Sequence, residues 1–305
     1  MTIQQFKSNA IKTLSETSPS AALDVSVFLE FCLKKNKTWL LMNNETELSG
    51  EQEEWLTEAV EKRKTGLPVA YITGHKEFYG YDFIVSPAVL IPKPDTEILV
   101  EKALDAIIAK MEAHPDIVLS ICDMCTGSGC IGLAVLKQLI EEYKIPAGSL
   151  PKLTMIDISS EALDIARLNA KKLLPEEEVE NIRFIQNNLF FEIEYMFDLI
   201  LTNPPYIPSH MVDELLKDGR SEPRLALDGD VTPYGEKTKD EDGLGLIRVL
   251  LPQAKERLIP NGVLLMETGE YNAEATAKLA DECGFRNIKI HNDLESQLRV
   301  MEGLK

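Results

Sequence analysis

From residue 116 to the carboxyl terminus, short apolar runs alternate with longer stretches of helical period, and this alternation restricts the fold more than any other feature. The pattern predicts strands at 116–122, 152–157, 182–186, 197–202, 262–267, 286–291 and 297–301, with helices at 130–143, 160–173, 243–257 and 271–283. Strands joined through helices lie parallel, and the helices cover both faces of the sheet. The expected class is α/β, a doubly wound and mostly parallel sheet of seven strands whose ligands sit beyond the strands' carboxyl ends. The last two strands have no helix between them, which allows an antiparallel hairpin at one edge.

The first 75 residues read differently. Apolar residues recur at three and four from Ser8 to about Lys64, as in Ala21 to Phe31, with Ser20 as the expected N-cap. A further helix is expected from Ser49, where Gln52 stands three residues on as in a capping box, until Gly66 and Pro68 end it. Residues 76–92 carry Phe78, Tyr79, Tyr81, Phe83, Ile84 and Val85, then Val89, Leu90 and Ile91, punctuated by Gly80 and Pro87, and predict a hairpin of two short strands. Pro92 and Pro94 stiffen its exit, and a helix is expected from Asp95 to about Met111. At 305 residues the chain exceeds the usual size of one domain. The expected division is a helical domain at 1–75, a hairpin linker at 76–93 and an α/β domain at 94–305.

Composition excludes several function classes. No apolar run approaches the roughly 18 residues of a membrane span, and the first 14 residues lack the character of a signal or transit peptide, so a cytoplasmic protein is expected. The five cysteines, Cys32, Cys122, Cys125, Cys130 and Cys283, are an odd number that argues against a disulfide framework. Cys122 and Cys125 form a lone C-x-x-C without a second pair or histidines at ligand spacing, so no metal is expected. The net charge of -18 disfavours phosphate backbones and suits a protein partner, or simply solubility. The acid lies mostly beyond the helical region, where residues 1–75 hold 8 Lys and Arg against 10 Asp and Glu.

Two loops carry the chemistry. The first predicted strand runs into Asp123-Met124-Cys125-Thr126-Gly127-Ser128-Gly129, and Gly127, Gly129 and Gly132 fit G-x-G-x-x-G, a spacing that brings backbone close to a ligand at a helix start. Asp123 would repel a pyrophosphate but can help place a cationic sulfonium or amino group, and S-adenosyl-L-methionine carries both. Asp157, ending the second α/β strand, suits the ribose hydroxyls, with Ser159 or Ser160 left to cap the next helix. Asn188 can accept from an adenine amino group, and Leu189 and Phe190 can pack on the ring; an Asn-rich turn followed by core residues reads equally well.

The second loop is Asn203-Pro204-Pro205-Tyr206, directly after the apolar run 197–202. Two prolines remove two donors and force the preceding residue extended, so the strand must stop there in a rigid loop. The Asn203 amide oxygen and the Pro204 carbonyl can accept both hydrogens of a planar NH2 group, and Tyr206, aimed outward by the prolines, can stack on it. An amide nitrogen is a poor nucleophile, so positioning and desolvation matter more here than a strong base.

Loops of this kind occur in methyltransferases acting on planar NH2 groups, and the wider chain resembles the PrmC/HemK-type release factor glutamine methyltransferases. Similar stretches are Thr38 to Leu41, Pro68 to Gly74, Glu77 to Gly80, Leu90 to Glu97, Glu222 to Gly229 and Asp242 to Leu244. The resemblance implies a Rossmann-like class I methyltransferase fold and transfer from S-adenosyl-L-methionine, yielding S-adenosyl-L-homocysteine. The acceptor it implies is the side-chain nitrogen of the glutamine in the Gly-Gly-Gln loop of class I peptide chain release factors. It further implies a cofactor loop from Cys125 to Gly129, Asp157 on the ribose, Leu189 beside the adenine, and Phe78 closing over the methyl donor. Asn203, Pro204, Pro205 and Tyr206 would meet the glutamine, and the helical domain would contact the release factor, with a monomer expected. The family usually has Gly at Cys125, Asp at Asn188 and Arg at Lys93; Cys125 is expected to fit if its backbone angles are ordinary. Val231 to Glu241 reads as a polar insertion, expected to be a mobile loop near the substrate entrance. The rival reading is an adenine-N6 or other nucleic-acid amino-group methyltransferase, which the acidic charge opposes. A non-catalytic cofactor-binding adaptor would not need Asn203, and an NAD-dependent oxidoreductase leaves the Pro-Pro loop unexplained.

Overall fold

The computed structural model describes residues 1–218, 221–231 and 235–305. They divide into two compact units, one gathering Met1–His75 with Glu214–Ser221, the other Lys76–Asp213 with Glu222–Lys305.

The first unit contains α1 (Ile3–Leu14), α2 (Ala21–Leu33), α3 (Lys37–Met42), α4 (Gly50–Lys64) and α5 (Val69–Thr73). Reciprocal side-chain bonds between N-cap and third residue start α1 at Thr2 and Gln5 and α4 at Ser49 and Gln52, the latter as its sequence predicts. Ile3, Phe6, Ala10 and Leu14 share the buried face of α1 and pack with Val25, Phe28, Leu29 and Leu56. Ser20 departs from expectation: it stands at the N-cap of α2, but its hydroxyl donates to Asp24 (2.8 Å) and caps nothing. Asp24 is buried, takes a second hydroxyl from Ser18 (2.7 Å) and pairs with Arg63 (2.7 Å). A buried carboxylate demands such donors more strongly than a helix end that water can reach.

The second unit begins at Lys76, within the hairpin of β1 (His75–Phe78) and β2 (Tyr81–Ile84), which turns at Tyr79 and Gly80. Val89 to Ile91, expected to extend the hairpin, form no strand, and Pro87 and Pro92 on either side supply no N–H for pairing. A 3-10 turn at Pro94–Thr96 leads into α6 (Glu97–Ala113). There follow β3 (Ser120–Met124), α7 (Cys130–Glu141), β4 (Lys152–Asp157), α8 (Ser160–Leu173), α9 (Glu176–Glu180), β5 (Arg183–Gln186) and β6 (Phe197–Thr202). The chain closes with α10 (Ser209–Leu215), α11 (Gly245–Arg257), β7 (Leu258–Glu267), α12 (Ala273–Glu282), β8 (Arg286–Asn292) and β9 (Leu298–Leu304). The first strand of the sheet lies further along than predicted, because a turn from Ile117 N–H to the His114 carbonyl (3.1 Å) occupies the start of that run.

The large sheet has seven strands in the order β5-β4-β3-β6-β7-β9-β8. β5, β4, β3, β6 and β7 are parallel, while β9 runs antiparallel to both β7 and β8, giving the edge hairpin that the missing helix allowed. The central strands are buried on both faces. Ile121, Leu199, Leu201 and Leu265 pack with Leu99 and Ile107 of α6 and Leu133 of α7. Cys122, Met124, Ile200 and Leu264 pack on the other face with Leu250 and Leu251 of α11. Truncating one of these leucines to alanine costs about 2–5 kcal/mol.

Register places the loops. Met124 pairs with Ile156 on one side and Thr202 on the other, Asp157 pairs with Gln186, and Thr202 pairs with Met266. The residues that follow these strands, Cys125, Asn187 and Asn203, therefore emerge with Asp157 and Glu267, the last residues of β4 and β7, along one carboxyl edge. The chain turns from one half of the sheet to the other between β3 and β6, the switch point at which such sheets bind ligands.

Candidate active site

A cavity of about 700 Å³ opens at this edge, within the range of ligand-sized sites. Cys125, Thr126, Gly127 and Ser128 line it from the loop after β3, Asp157 from β4, Asn188 and Leu189 from the loop after β5, and Asn203 and Pro205 from the loop after β6. Sequence singled out all nine, and the fold brings them together from four separate loops and strand ends.

The loop after β3 is held by two carboxylates. Asp157 accepts from the Gly127 N–H (2.8 Å) through one oxygen and from the Ser159 N–H (3.0 Å) through the other. Ser159, in turn, caps α8 by accepting from Ala162 (3.1 Å), so the cap and the strand-end carboxylate are separate groups. Burial pushes the Asp157 carboxyl up, opposed by its backbone N–H donors. Below the loop, Asp123 accepts from the Thr126 hydroxyl (2.7 Å) and the Gly132 N–H (3.0 Å), both on Oδ2. Burial raises its carboxyl to about 7, and Oδ1 has no hydrogen bond among the described residues. Gly129 ends the loop at φ +81, where an added Cβ would stand 2.8 Å from the Met155 methyl, so a side chain meets both backbone strain and the core.

Four expected placements need correcting. Asp123 lies beneath the loop and lines no part of the cavity, because Thr126 and Gly132 fold over it. Phe78 does not cover the cavity: it is buried with its ring edge against Phe83, where β1 packs on the core shared with α6 and α7. Cys125 has no ordinary backbone; at φ +59 it occupies the left-handed region, which explains why glycine suits that place. Tyr206 does not project into the cavity. Its hydroxyl donates to Glu267 (3.1 Å) and its carbonyl accepts from Asn272 (3.0 Å), turning the residue toward β7 and the chain beyond it. Gly129 and Pro204 likewise stand outside the lining.

The Asn203 loop is held by distant residues. Asn203 Nδ2 donates to the Thr96 hydroxyl (3.3 Å), which comes from the turn before α6. Backbone crosses backbone behind the loop: a Cβ on Gly243 would fall 2.1 Å from the Tyr206 carbonyl oxygen, so only glycine permits the contact. Asp230 fastens this crossing by accepting from the Ser209 (2.9 Å) and Gly243 (2.6 Å) N–H groups. Of the predicted insertion, Val231 and Gly235 line the cavity and Val231 bridges to Lys237; residues 232–234 lie outside the described residues.

Sequence reasoning missed Thr96, Glu267 and the partner of Lys93. Lys93 pairs with the buried Glu222 (2.6 Å), securing the segment whose Pro223, Leu225 and Ala226 wall the cavity. Lysine keeps the charge pair in place of the usual arginine but makes it through one nitrogen. Glu267 carried a faint signal, an acid closing the apolar run Val263 to Met266.

Known proteins place this chain. Residues 7–74 match the PrmC N-terminal domain family, and residues 99–218 match the methyltransferase small domain family. The release factor glutamine methyltransferase of Koribacter versatilis is 36% identical over 100% of this chain and 99% of its own. That of Leptospira interrogans is 37% identical over 93% of this chain and 91% of its own, and that of Borreliella burgdorferi 33% over 92% and 87%. No helix among the described residues is long and apolar enough to cross a membrane. With a seven-stranded sheet, two juxtaposed loops and relatives matched along nearly their whole length, the chain belongs to the release factor glutamine methyltransferase family.

Proposed function

We propose that this protein methylates the side-chain nitrogen, N5, of the glutamine in the Gly-Gly-Gln loop of class I peptide chain release factors. S-adenosyl-L-methionine supplies the methyl group as an electrophile and would leave as S-adenosyl-L-homocysteine. The observation that carries this reading is the register of Met124 with Thr202, which sets the loop after β3 beside Asn203 in one cavity.

The residues present fit such a cofactor. Asp157 lines the cavity with lone pairs beyond those its two backbone donors occupy, and these suit ribose hydroxyls. Leu189 offers an apolar wall to a base, with Asn188 beside it. Asp123, under the loop, contributes negative potential to a cationic ligand at short range without touching it. The Cys125 position, strained at φ +59, brings backbone to the cavity.

On the acceptor side, Asn203 turns its Nδ2 to Thr96, which leaves its carbonyl oxygen to take a hydrogen from the glutamine amide. The Pro204 carbonyl is assigned as the second acceptor by its place next to Asn203, although Pro204 itself lines no part of the cavity. Two acceptors on one NH2 group orient the nitrogen lone pair, and the apolar side chains of Pro205, Leu225 and Leu246 line the cavity beside it. The proton that nitrogen sheds after alkylation can pass to solvent without a strong base. Residues 1–75 are proposed to bind the release factor, and a translation factor as substrate puts the activity in the cytoplasm.

The reading is tested by incubating the protein with labelled S-adenosyl-L-methionine and, separately, a release factor, its Gln→Ala loop variant, and DNA or RNA. Label is expected on the unaltered factor alone. Label on nucleic acid, or equal label on both factors, would refute it.

A further inference from the structure

Leu225, Ala226 and Asp228 line the cavity, as do Asn203 and Pro205. Just past these residues the two segments are bonded to each other through backbone. The Ile207 N–H donates to the Leu227 carbonyl (2.9 Å), and the Gly229 N–H donates to the Ile207 carbonyl (2.9 Å). Gly229 is packed so closely that an added Cβ would fall 2.8 Å from the Tyr206 Cα and 2.1 Å from the Gly243 carbonyl oxygen. Two such hydrogen bonds contribute only about 1–3 kcal/mol, so a wall and a loop held at constant spacing need a further tie.

Asp228 supplies it. The residue is buried, and its Oδ1 accepts the Ser209 hydroxyl (2.7 Å) and the Asp230 N–H (3.1 Å), while Oδ2 accepts Arg224 Nε (2.9 Å). Arg224 Nη2 stands 2.8 Å from Oδ2 without completing a hydrogen bond, and Arg224 pairs in addition with Asp213 of α10. Ser209, buried at the start of α10, gives its own N–H to Asp230 (2.9 Å). One carboxylate therefore grips the continuation of the Asn203 loop through Ser209 and the wall through Arg224, the residue directly before Leu225. A carboxylate offers about four acceptor sites, and donors from the protein occupy or crowd all of them. Its place on the cavity lining is explained by what it holds together rather than by what it offers a ligand.

We propose that Asp228 is a positioning residue for the acceptor: it sets the spacing between the Asn203 loop and the wall of Leu225 and Ala226, and the glutamine side chain enters between the two. The identity of that acceptor rests on the methyl-transfer reading; the clamp stands on its hydrogen bonds alone. Other groups hold the rest of the site. Asn203 is bonded to Thr96, and the loop after β3 is secured by Asp123 and Asp157. The wall meets the glutamine alike before and during transfer, so opening the clamp removes uniform binding, which raises KM and spares kcat.

The test measures transfer to a release factor and amide hydrogen exchange in the full-length protein and in Ser209→Ala, Asp228→Asn and the double variant. Ser209→Ala frees the acceptor loop alone and should raise KM for the release factor about 10-fold, the effect of leaving one buried acceptor short of a donor. Asp228→Asn sets an NH2 group against a donor and should raise it roughly 10- to 100-fold. In both, kcat and cofactor affinity should stay within about threefold, whereas a variant that merely weakened the domain would lose them together. Adding Ser209→Ala to Asp228→Asn should change KM by less than about twofold, because the hydroxyl no longer has its carboxylate. The Ile207 and Gly229 amides should exchange about 10-fold faster in either variant while those of Gly127 and Gly132 keep their rates. Should Asp228→Asn fail to fold, Ser209→Ala carries both measurements. Unchanged exchange at Ile207 and Gly229 overturns the proposal, and so does a KM rise in Ser209→Ala below about twofold or matched by an equal loss of cofactor affinity. If the unaltered protein labels no release factor while exchange at these two amides still quickens in the variants, the functional reading fails and the clamp stands.

Discussion

The loops after β3 and β6 leave neighbouring strands from paired residues, Met124 and Thr202, but they are held in place by opposite means. The first is secured by carboxylates close by in sequence or one strand away: Asp123 reaches Thr126 and Gly132, and Asp157 reaches Gly127. The second is secured from afar, by Thr96 before α6, Glu267 at the end of β7, Asn272 beyond it, and the backbone of Gly243. A loop built from its own neighbourhood can fold around a common cofactor in many proteins. A loop braced by four distant segments takes its shape from the whole domain rather than from its own residues.

If that division is right, each loop can be disabled separately. The largest effect is expected from Asn203→Ala, which should cut transfer by about 10³-fold, the usual loss on deleting a group that orients the reacting centre. Cofactor affinity should stay within severalfold by calorimetry; a loss as large as that in turnover would show that the two loops act as one. Asp157→Ala should do the reverse, weakening S-adenosyl-L-methionine roughly 10- to 100-fold, as expected for charge-assisted bonds to ribose. Transfer measured at saturating cofactor should then largely recover, and failure to recover would place Asp157 in the transfer step.

Asp123 and Cys125 sharpen the contrast through stability. The Asp123 carboxyl is raised to about 7, so its contribution to stability is full below the unfolded value of 3.8 and is lost as pH climbs from there through about 7. Asp123→Asn keeps an acceptor for Thr126 and Gly132 and removes the buried charge. It should stabilise the ligand-free protein by on the order of 2 kcal/mol more at pH 8 than at pH 5, read from denaturant unfolding at both. Equal effects at the two pH values would assign Asp123 a packing role. The smallest change is Cys125→Gly, expected to add about 1 kcal/mol by relieving the left-handed backbone at φ +59. A lower melting temperature would mean that the Cys125 side chain contributes more than its backbone costs.

The same contrast explains what could be read beforehand. Alternating strands and helices, the edge hairpin, the α4 capping box and the Ser159 cap all depend on contacts within a few residues or on the period of one element, and sequence displays both. The nine cavity residues were legible for a related reason: each stands at or just past the end of an apolar strand, and doubly wound sheets gather those ends. Tyr206 and Phe78 were misplaced because an aromatic ring goes to whichever partner is nearest in space. For Tyr206 that partner is Glu267, 61 residues away, and for Phe78 it is the core under α6 and α7.

By itself, then, the sequence determined the order of the strands along the chain, the places where they stop, and the chemical groups waiting at those stops. Proline geometry and strand period are properties of adjacent residues, and they hold wherever the segment lies. Only the tertiary structure decided that Asp123 lies beneath its loop, that Cys125 bears a left-handed turn, that Asn203 lines the cavity with its amide on Thr96, and that Tyr206 turns to Glu267. The first two turn on backbone angles and side-chain directions inside one short loop, which spacing alone does not fix, whereas the Asn203 and Tyr206 contacts join donors and acceptors 107 and 61 residues apart, a separation no local pattern encodes.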